Sequence, residues 1–396
     1  MPVLEGRCLV WLIRRGLLFY YIVQLCYKLT MKVALVHDWL NTLGGAERVL
    51  IELHKIFPEA PVYTLFANQK FTNEFLPSAD VRPSFLNSIP LITKIHKYFF
   101  FLMPIAAESF NLSDYDMVIS SSVNFSKGLV LKPKTKHICY CYSPARFLWD
   151  RHTVYNGQNN FGFKDWVLRL FQHILRIWDR QTADRVDQFV AISEHVRGRI
   201  QKYYRKDAEV IYPPLIPNFQ FPISNKFPIS QFQNYYLIVS RLYPHKNIDV
   251  AIDAFNKLGL PLVIIGDGPE YGKLKSQSAK CKNIKLLLFV SDKKLSYYYQ
   301  NCRAFIMPQE EDFGLTPIEA MSFGKPVLAL GKGGALETVV EGMTGEFFDD
   351  PIPEALADGV RRLNENYKNY NADVIKAHVR KFSREEFRNK ILSLAQ

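Results

Sequence analysis

The chain has 396 residues, 48% hydrophobic and 22% charged: too long for one ordinary core, and the profile of a globular protein of about two domains. Lys and Arg outnumber Asp and Glu, 50 to 38, which points to an anionic partner; nucleic acid is the weakest choice, because no basic stripe with a nucleic-acid motif accompanies the excess. Cys8, Cys26, Cys139, Cys141, Cys281 and Cys302 form no C-x-x-C pair and none stands with His at zinc spacing, which argues for a reducing compartment and against a structural metal.

In residues 1–30, Arg14 and Arg15 precede an apolar run over 16–27, closed by Lys28. The run is too short for a membrane span. No small-residue cleavage site follows it, so secretion is disfavoured. The chain restarts at Met31 with Lys-Val-Ala-Leu-Val, so residues 1–30 read as an upstream start or an interfacial anchor. Beyond them, short apolar runs predict strands over 32–36, 61–66, 116–121, 136–142, 188–192 and 209–212. Helices are predicted over 45–56, 91–108, 163–184 and 194–204. Tyr212-Pro213-Pro214 breaks the pattern, and 215–234, rich in Pro, Asn, Gln and Phe, reads as a linker.

The second half alternates regularly. Strands are predicted over 235–240, 261–266, 284–290, 304–308 and 326–330, with helices over 248–258, 269–280, 292–301, 317–322 and 335–341. Such alternation implies α/β domains, each a parallel sheet wound on both faces. Ligands in this class bind at the carboxyl ends of the strands. The organisation expected is a first domain over 31–214, joined by a C-terminal helix over 380–396, and a second over 215–379.

Glu311-Asp312-Phe313-Gly314-Leu315-Thr316-Pro317-Ile318-Glu319 stands at a strand–loop–helix junction. Thr316 fits an N-cap, Pro317 the first helical position and Glu319 the third, a capping box. Glu311 would end a buried strand, and the N–H groups at 314–316 would make an anion site at the helix N-terminus. Arg241 and Lys246 follow the strand at 235–240, where two cations can neutralise a diphosphate without a metal. A solvated basic loop explains them equally well. His37-Asp38 is followed by Gly44-Gly45 at a strand-to-helix turn, close enough for backbone approach to a ligand. The spacing is not G-x-G-x-x-G, so a dinucleotide is disfavoured. Gly266-Asp267-Gly268-Pro269 and Gly331-Lys332-Gly333-Gly334 are two further glycine turns.

Together, Arg241…Lys246, Gly266-Asp267-Gly268-Pro269, Glu311-x7-Glu319 and Gly333-Gly334 resemble retaining glycosyltransferases of family 4. Gly44-Gly45-Ala46-Glu47 and Ser143-Pro144-Ala145-Arg146-Phe147-Leu148-Trp149-Asp150 are similar to a bacterial subgroup of mannosyltransferases that build O-antigen or exopolysaccharide. The resemblance implies the GT-B fold, two Rossmann-like domains facing a central cleft. Arg241 and Lys246 would bind the donor diphosphate, Glu311 would face the transferred sugar, and Glu319 would meet the ribose. Gly44, Gly45, Gly266, Phe313, Gly314, Leu315 and Thr316 would line the donor, with its base near Val290 and Ser291. His37, Asp38, Tyr142 and Arg146 would lie on the acceptor side.

Relatives often carry a histidine where this chain has Tyr142. A phenol of pKa about 10 is a poor base at neutral pH, though it can orient a hydroxyl. The implied reaction moves a hexose from a nucleotide diphosphate sugar, taken as GDP-mannose, to a lipid-linked glycan, with no cofactor or metal. The competing readings are a non-catalytic binding subunit on the same fold, a nucleotide-sugar epimerase and a glycan phosphorylase. Lys94, Lys97 and the aromatic run 98–101 fit a helix at a membrane surface and fit packed core at least as well, and Arg169, Arg176 and Arg180 among Trp166, Phe171 and Trp178 fit a helix with one wet face. Taken with the +12 charge and the run over 16–27, they favour peripheral contact with an acidic membrane surface. That would place the protein on the inner face of the cell membrane. His37, His137, His152, His173 and His195 lack ligand spacing and read as structural.

Overall fold

The computed structural model describes residues 31–150, 163–216, 234–288 and 290–395. The N-terminal run, His152 and 217–233 of the linker lie outside them. Two sheets carry the fold, every recorded strand pair in them parallel. The first comprises β1 (Val33–Leu40), β2 (Val62–Ala67), β3 (Val81–Pro83), β4 (Met117–Ser122), β5 (Lys136–Cys141), β6 (Gln188–Ala191) and β7 (Ala208–Val210). Its order is β3-β2-β1-β4-β5-β6-β7. The second comprises β8 (Tyr236–Val239), β9 (Leu262–Ile265), β10 (Ile284–Leu287), β11 (Ala304–Met307), β12 (Val327–Leu330) and β13 (Gly345–Phe348), in the order β10-β9-β8-β11-β12-β13. Two compact units result, one running through Val190 and taking in Ile391–Gln396, the other Ala191–Lys390.

Central strands of parallel sheets are covered on both faces, so they read as unbroken apolar runs. Leu262–Ile265 and Ala304–Met307 are buried at every residue. The first helix, α1 (Gly45–Ile56), starts where Glu47 reaches back to accept from Gly44 N at 2.8 Å, and Val49, Leu50 and Leu53 form its buried stripe. In chain order follow α2 (Gln69–Phe75), α3 (Phe163–Thr182), α4 (Glu194–Tyr204), α5 (Ile248–Leu258), α6 (Tyr271–Ser278), α7 (Asp292–Asn301), α8 (Leu315–Ser322), α9 (Pro353–Glu365), α10 (Ala372–His378) and α11 (Arg384–Ser393). Beyond α11 the chain lies in the first unit, where Lys136 Nζ donates to Leu394 O at 2.7 Å.

The helix expected over 91–108 is four short pieces: Ile92–Ile95, two 3-10 turns and Met103–Glu108. Pro104 has no N–H to return to residue 100, so the last piece starts anew. Strands β3 and β13 escaped the pattern because one is three residues at an edge and the other opens Gly-Glu. No helix among the described residues is long and apolar enough to cross a membrane.

Burial leaves a titration signature on β5. His137 is buried, its Nε2 is 2.9 Å from Ser120 Oγ, and desolvation pushes its pKa down to about 4. The unfolded chain takes up this proton near 6.5. Its stabilising effect is therefore whole above that pH and is lost as pH falls toward 4, a cost of about 3 kcal/mol. Urea midpoints at pH 7.5 and 4.5 should differ less for His137→Gln than for the parent chain.

Candidate active site

Strand order places the site of the second unit. From β8 the chain winds outward through β9 and β10, then returns to the far side of β8 at β11. The winding reverses between β8 and β11, and ligands bind at the carboxyl ends of such a switch point. The segment leaving β8 carries Arg241 and Lys246, and the segment leaving β11 carries Glu311. Lys246, only 5% exposed, forms an ion pair with Glu311, whose Oε1 also accepts from Gln309 Nε2 at 3.0 Å. Asn247 Nδ2 donates to Pro308 O at 2.9 Å and ties the same two segments a second time. Arg241 is exposed, its guanidinium 5.8 Å from the Tyr243 ring centroid.

Backbone approach explains the glycines here. A β-carbon on Gly266 would stand 1.9 Å from Ser240 O, so Gly266 lets β9 end against the loop that holds Arg241. Gly266→Ala should therefore cost about 1–3 kcal/mol, read as a lower urea midpoint, and weaken nucleotide binding by displacing that loop. Gly314, at φ +91°, is the N-cap of α8. The helix consequently starts at Leu315, two residues before its expected first position.

This early start overturns the capping box. Thr316 is the second helical residue, no side chain caps the helix, and Glu319 is the fifth residue, beyond reach of the cap. Glu319 instead accepts from Tyr299 OH at 2.7 Å. Leu315 and Thr316 hold first-turn N–H groups, which have no partner within a helix. The Phe313 side chain is buried, stacked on Tyr212 at 5.6 Å and edge-on to Phe382 at 5.5 Å, so it anchors this loop in the core. Val290 and Ser291 lead into α7, with Ser291 as its N-cap.

Sequence reasoning missed the residues that brace this loop. Arg199 Nη1 is 3.0 Å from Asp312 Oδ1, and Ser193 Oγ donates to Asp312 O at 2.6 Å. Glu337 accepts from the N–H groups of Glu194 and His195 at 2.7 and 2.9 Å. Ser193 is a regular N-cap, bonded to Val196 N, which was the available signal; nothing local announces Arg199 or Glu337.

In the first unit, His37 Nδ1 lies 2.9 Å from Ser121 O and its Nε2 3.6 Å from Glu47 Oε1. Tyr142 is buried, within 2.9 Å of Ser121 Oγ, and donates to Ala46 O at 3.0 Å. Desolvation drives its pKa well above 10, so it stays a phenol. Tyr142 thus fixes the first turn of α1 beside Gly44 and Gly45. Asp38 is not presented to a ligand: its carboxylate accepts four backbone N–H groups, from Val123, Asn124, Phe125 and Ser126, at 2.6–2.9 Å. Arg146 lies in a single helical turn, 3.8 Å from Asp150. Among the described residues no cluster of His, Cys, Asp and Glu could hold a metal ion.

Two family profiles match this chain: Glycosyltransferase Family 4 over residues 43–218 and Glycosyl transferases group 1 over 220–380. Alpha-1,3/1,6-mannosyltransferase ALG2 of Candida glabrata is 24% identical, covering 91% of this chain and 92% of its own length. The ALG2 protein of Dictyostelium discoideum is 25% identical over 64% of this chain and 68% of its own. Among solved structures, Anabaena HepE in complex with UDP-glucose superposes with a TM-score of 0.66 at 19% identity, covering 92% of this chain and 99% of that one. The lipopolysaccharide outer core galactosyltransferase WaaB superposes at 0.61 and 18%, with the same coverage. At such identities the structural likeness is one of fold, and it is the GT-B fold.

Proposed function

Since the chain belongs to glycosyltransferase family 4, the retaining enzymes that take a sugar from a nucleotide sugar, we propose that it moves mannose from a nucleoside diphosphate donor to a hydroxyl of a lipid-linked glycan. The observation that carries this reading is the meeting of Lys246 and Glu311 at the switch point of the second sheet. A cation and a carboxylate side by side suit a substrate that is anionic at one end and rich in hydroxyls at the other.

Lys246, Arg241 and the first-turn N–H groups of α8 would hold the diphosphate, which gains charge as the glycosidic bond breaks. Glu311 would accept from the sugar hydroxyls, and Glu319, held by Tyr299, from the ribose. The sugar becomes oxocarbenium-like. The acceptor hydroxyl then attacks on the face the diphosphate leaves, and the departing phosphate takes its proton. No protein base is required, which agrees with a neutral phenol at Tyr142. Mannose is favoured by the mannosyltransferases among the relatives, and a nucleotide sugar by the UDP-glucose bound to HepE.

Thermal shifts with GDP, UDP, ADP and their sugars select the donor, and a radiolabelled transfer assay with a polyprenyl-linked glycan tests the acceptor. Stabilisation by GDP-mannose and a labelled lipid product are expected. Stabilisation by none of the nucleotides, or donor turnover with no labelled glycan, overturns the reading.

A further inference from the structure

Helix α3 turns the wrong side inward. Its buried face carries Gln172, Asp179 and Thr182 beside Leu175. Asp179 pairs with the buried Lys127 and accepts from Trp149 Nε1 at 2.7 Å. Facing solvent are Trp166, Leu170, Ile174 and Ile177, between 44% and 61% exposed. Their spacing of four, four and three makes one stripe along the helix. At 100° per residue, Arg169, His173, Arg176 and Arg180 lie along one edge of that stripe. Phe171 lies toward the other edge, where its ring meets that of Phe101 at 6.3 Å. Tyr98, Phe101 and Ile105 are exposed and extend the apolar surface.

We propose that this face of the first unit docks on an anionic lipid bilayer, α3 lying in the interface with its stripe among the acyl chains. Charge selects this occupant. Segments 91–102 and 163–184 hold six Lys and Arg against Asp165, Asp179 and Asp184; Asp179 is already neutralised by Lys127, and Asp184 pairs with Arg180. Cations flanking an apolar stripe, with Trp and Tyr at its margins, fit a headgroup boundary. A second copy would set the same cations against one another, a like-charge juxtaposition that opposes association. The docking gives a lipid-linked acceptor a physical setting, but it is read without donor or acceptor and stands or fails apart from the transfer reaction.

The test is flotation of the full chain with vesicles of phosphatidylcholine alone or mixed with phosphatidylglycerol. Flotation is expected only with the mixed vesicles, weakening as salt screens the headgroups. The double variant Ile174→Asp/Ile177→Asp should lose about tenfold or more in partitioning with an unchanged urea midpoint, since both side chains are exposed. Trp166 emission should shift to the blue on binding, read as the difference from Trp166→Phe. No flotation of the parent chain, or equal flotation of the double variant, overturns the proposal. So does binding that disappears when the chain is started at Met31, which assigns it to residues 1–30. A dimer split by the double variant, with no vesicle binding, assigns the surface to a second copy.

Discussion

Lys246→Ala should lower sugar transfer by about two to three orders of magnitude, the loss seen when one preorganised donor to a developing negative charge is removed. The diphosphate gains charge only as the glycosidic bond breaks, so the fall belongs mainly in kcat, with a smaller change in donor affinity. Folding should survive, because Glu311 retains Gln309 as a partner and is partly exposed. Arg241→Ala should act in the same direction but less steeply, since that guanidinium is exposed and water can replace some of its effect. Lys246→Arg keeps the charge but not the reach of an ammonium through this buried position, and should recover only part of the loss. Single-turnover rates with saturating donor separate the two terms. Near-normal transfer by both alanine variants would remove the diphosphate from this loop.

The strand–helix alternation of the second half was legible because buried parallel strands and amphipathic helices each leave a periodic mark. The helices Ile248–Leu258 and Asp292–Asn301 fall where the pattern predicts them. Where several rules competed, the reading slipped. Thr316, Pro317 and Glu319 satisfy every local rule for a capped N-terminus, yet the helix begins at Leu315. Gly314 adopts φ +91°, and Gly334 N donates to Glu311 O at 2.8 Å, anchoring the chain before the helix. That bond joins residues 23 apart in sequence, and no local pattern encodes it. The packing of Phe313 was illegible for a similar reason: its partners Tyr212 and Phe382 come from distant segments. Lys246 and Glu311 do meet, and the signal that singled them out was position: both are polar residues just beyond the ends of apolar strands, where the sheet needs no charge.

Asp38→Ala should destabilise the first unit by about 4 kcal/mol or more, because its carboxylate serves four backbone donors at once. Each hydrogen bond to a charged acceptor contributes about 1.5–3 kcal/mol, and each buried donor left unpaired costs about 1–3 kcal/mol. The terms do not add, since the 123–126 loop will relax toward water once released. Asp38→Asn is the sharper probe. Its side chain is the same size, but one of the two oxygens becomes an NH2 group aimed at two N–H donors, replacing attraction by repulsion. It should therefore lose a large part of what alanine loses, whereas an aspartate serving a ligand would show little effect on folding from either change. Urea midpoints of both variants, with hydrogen exchange at Val123–Ser126, distinguish the two. The result bears on catalysis as well. Ser121, just before this loop, hydrogen-bonds both His37 and Tyr142, and Tyr142 holds the turn at Gly44–Gly45 through Ala46. Releasing the loop should therefore lower transfer even under conditions where the variant remains folded, the effect passing through Ser121 and Tyr142.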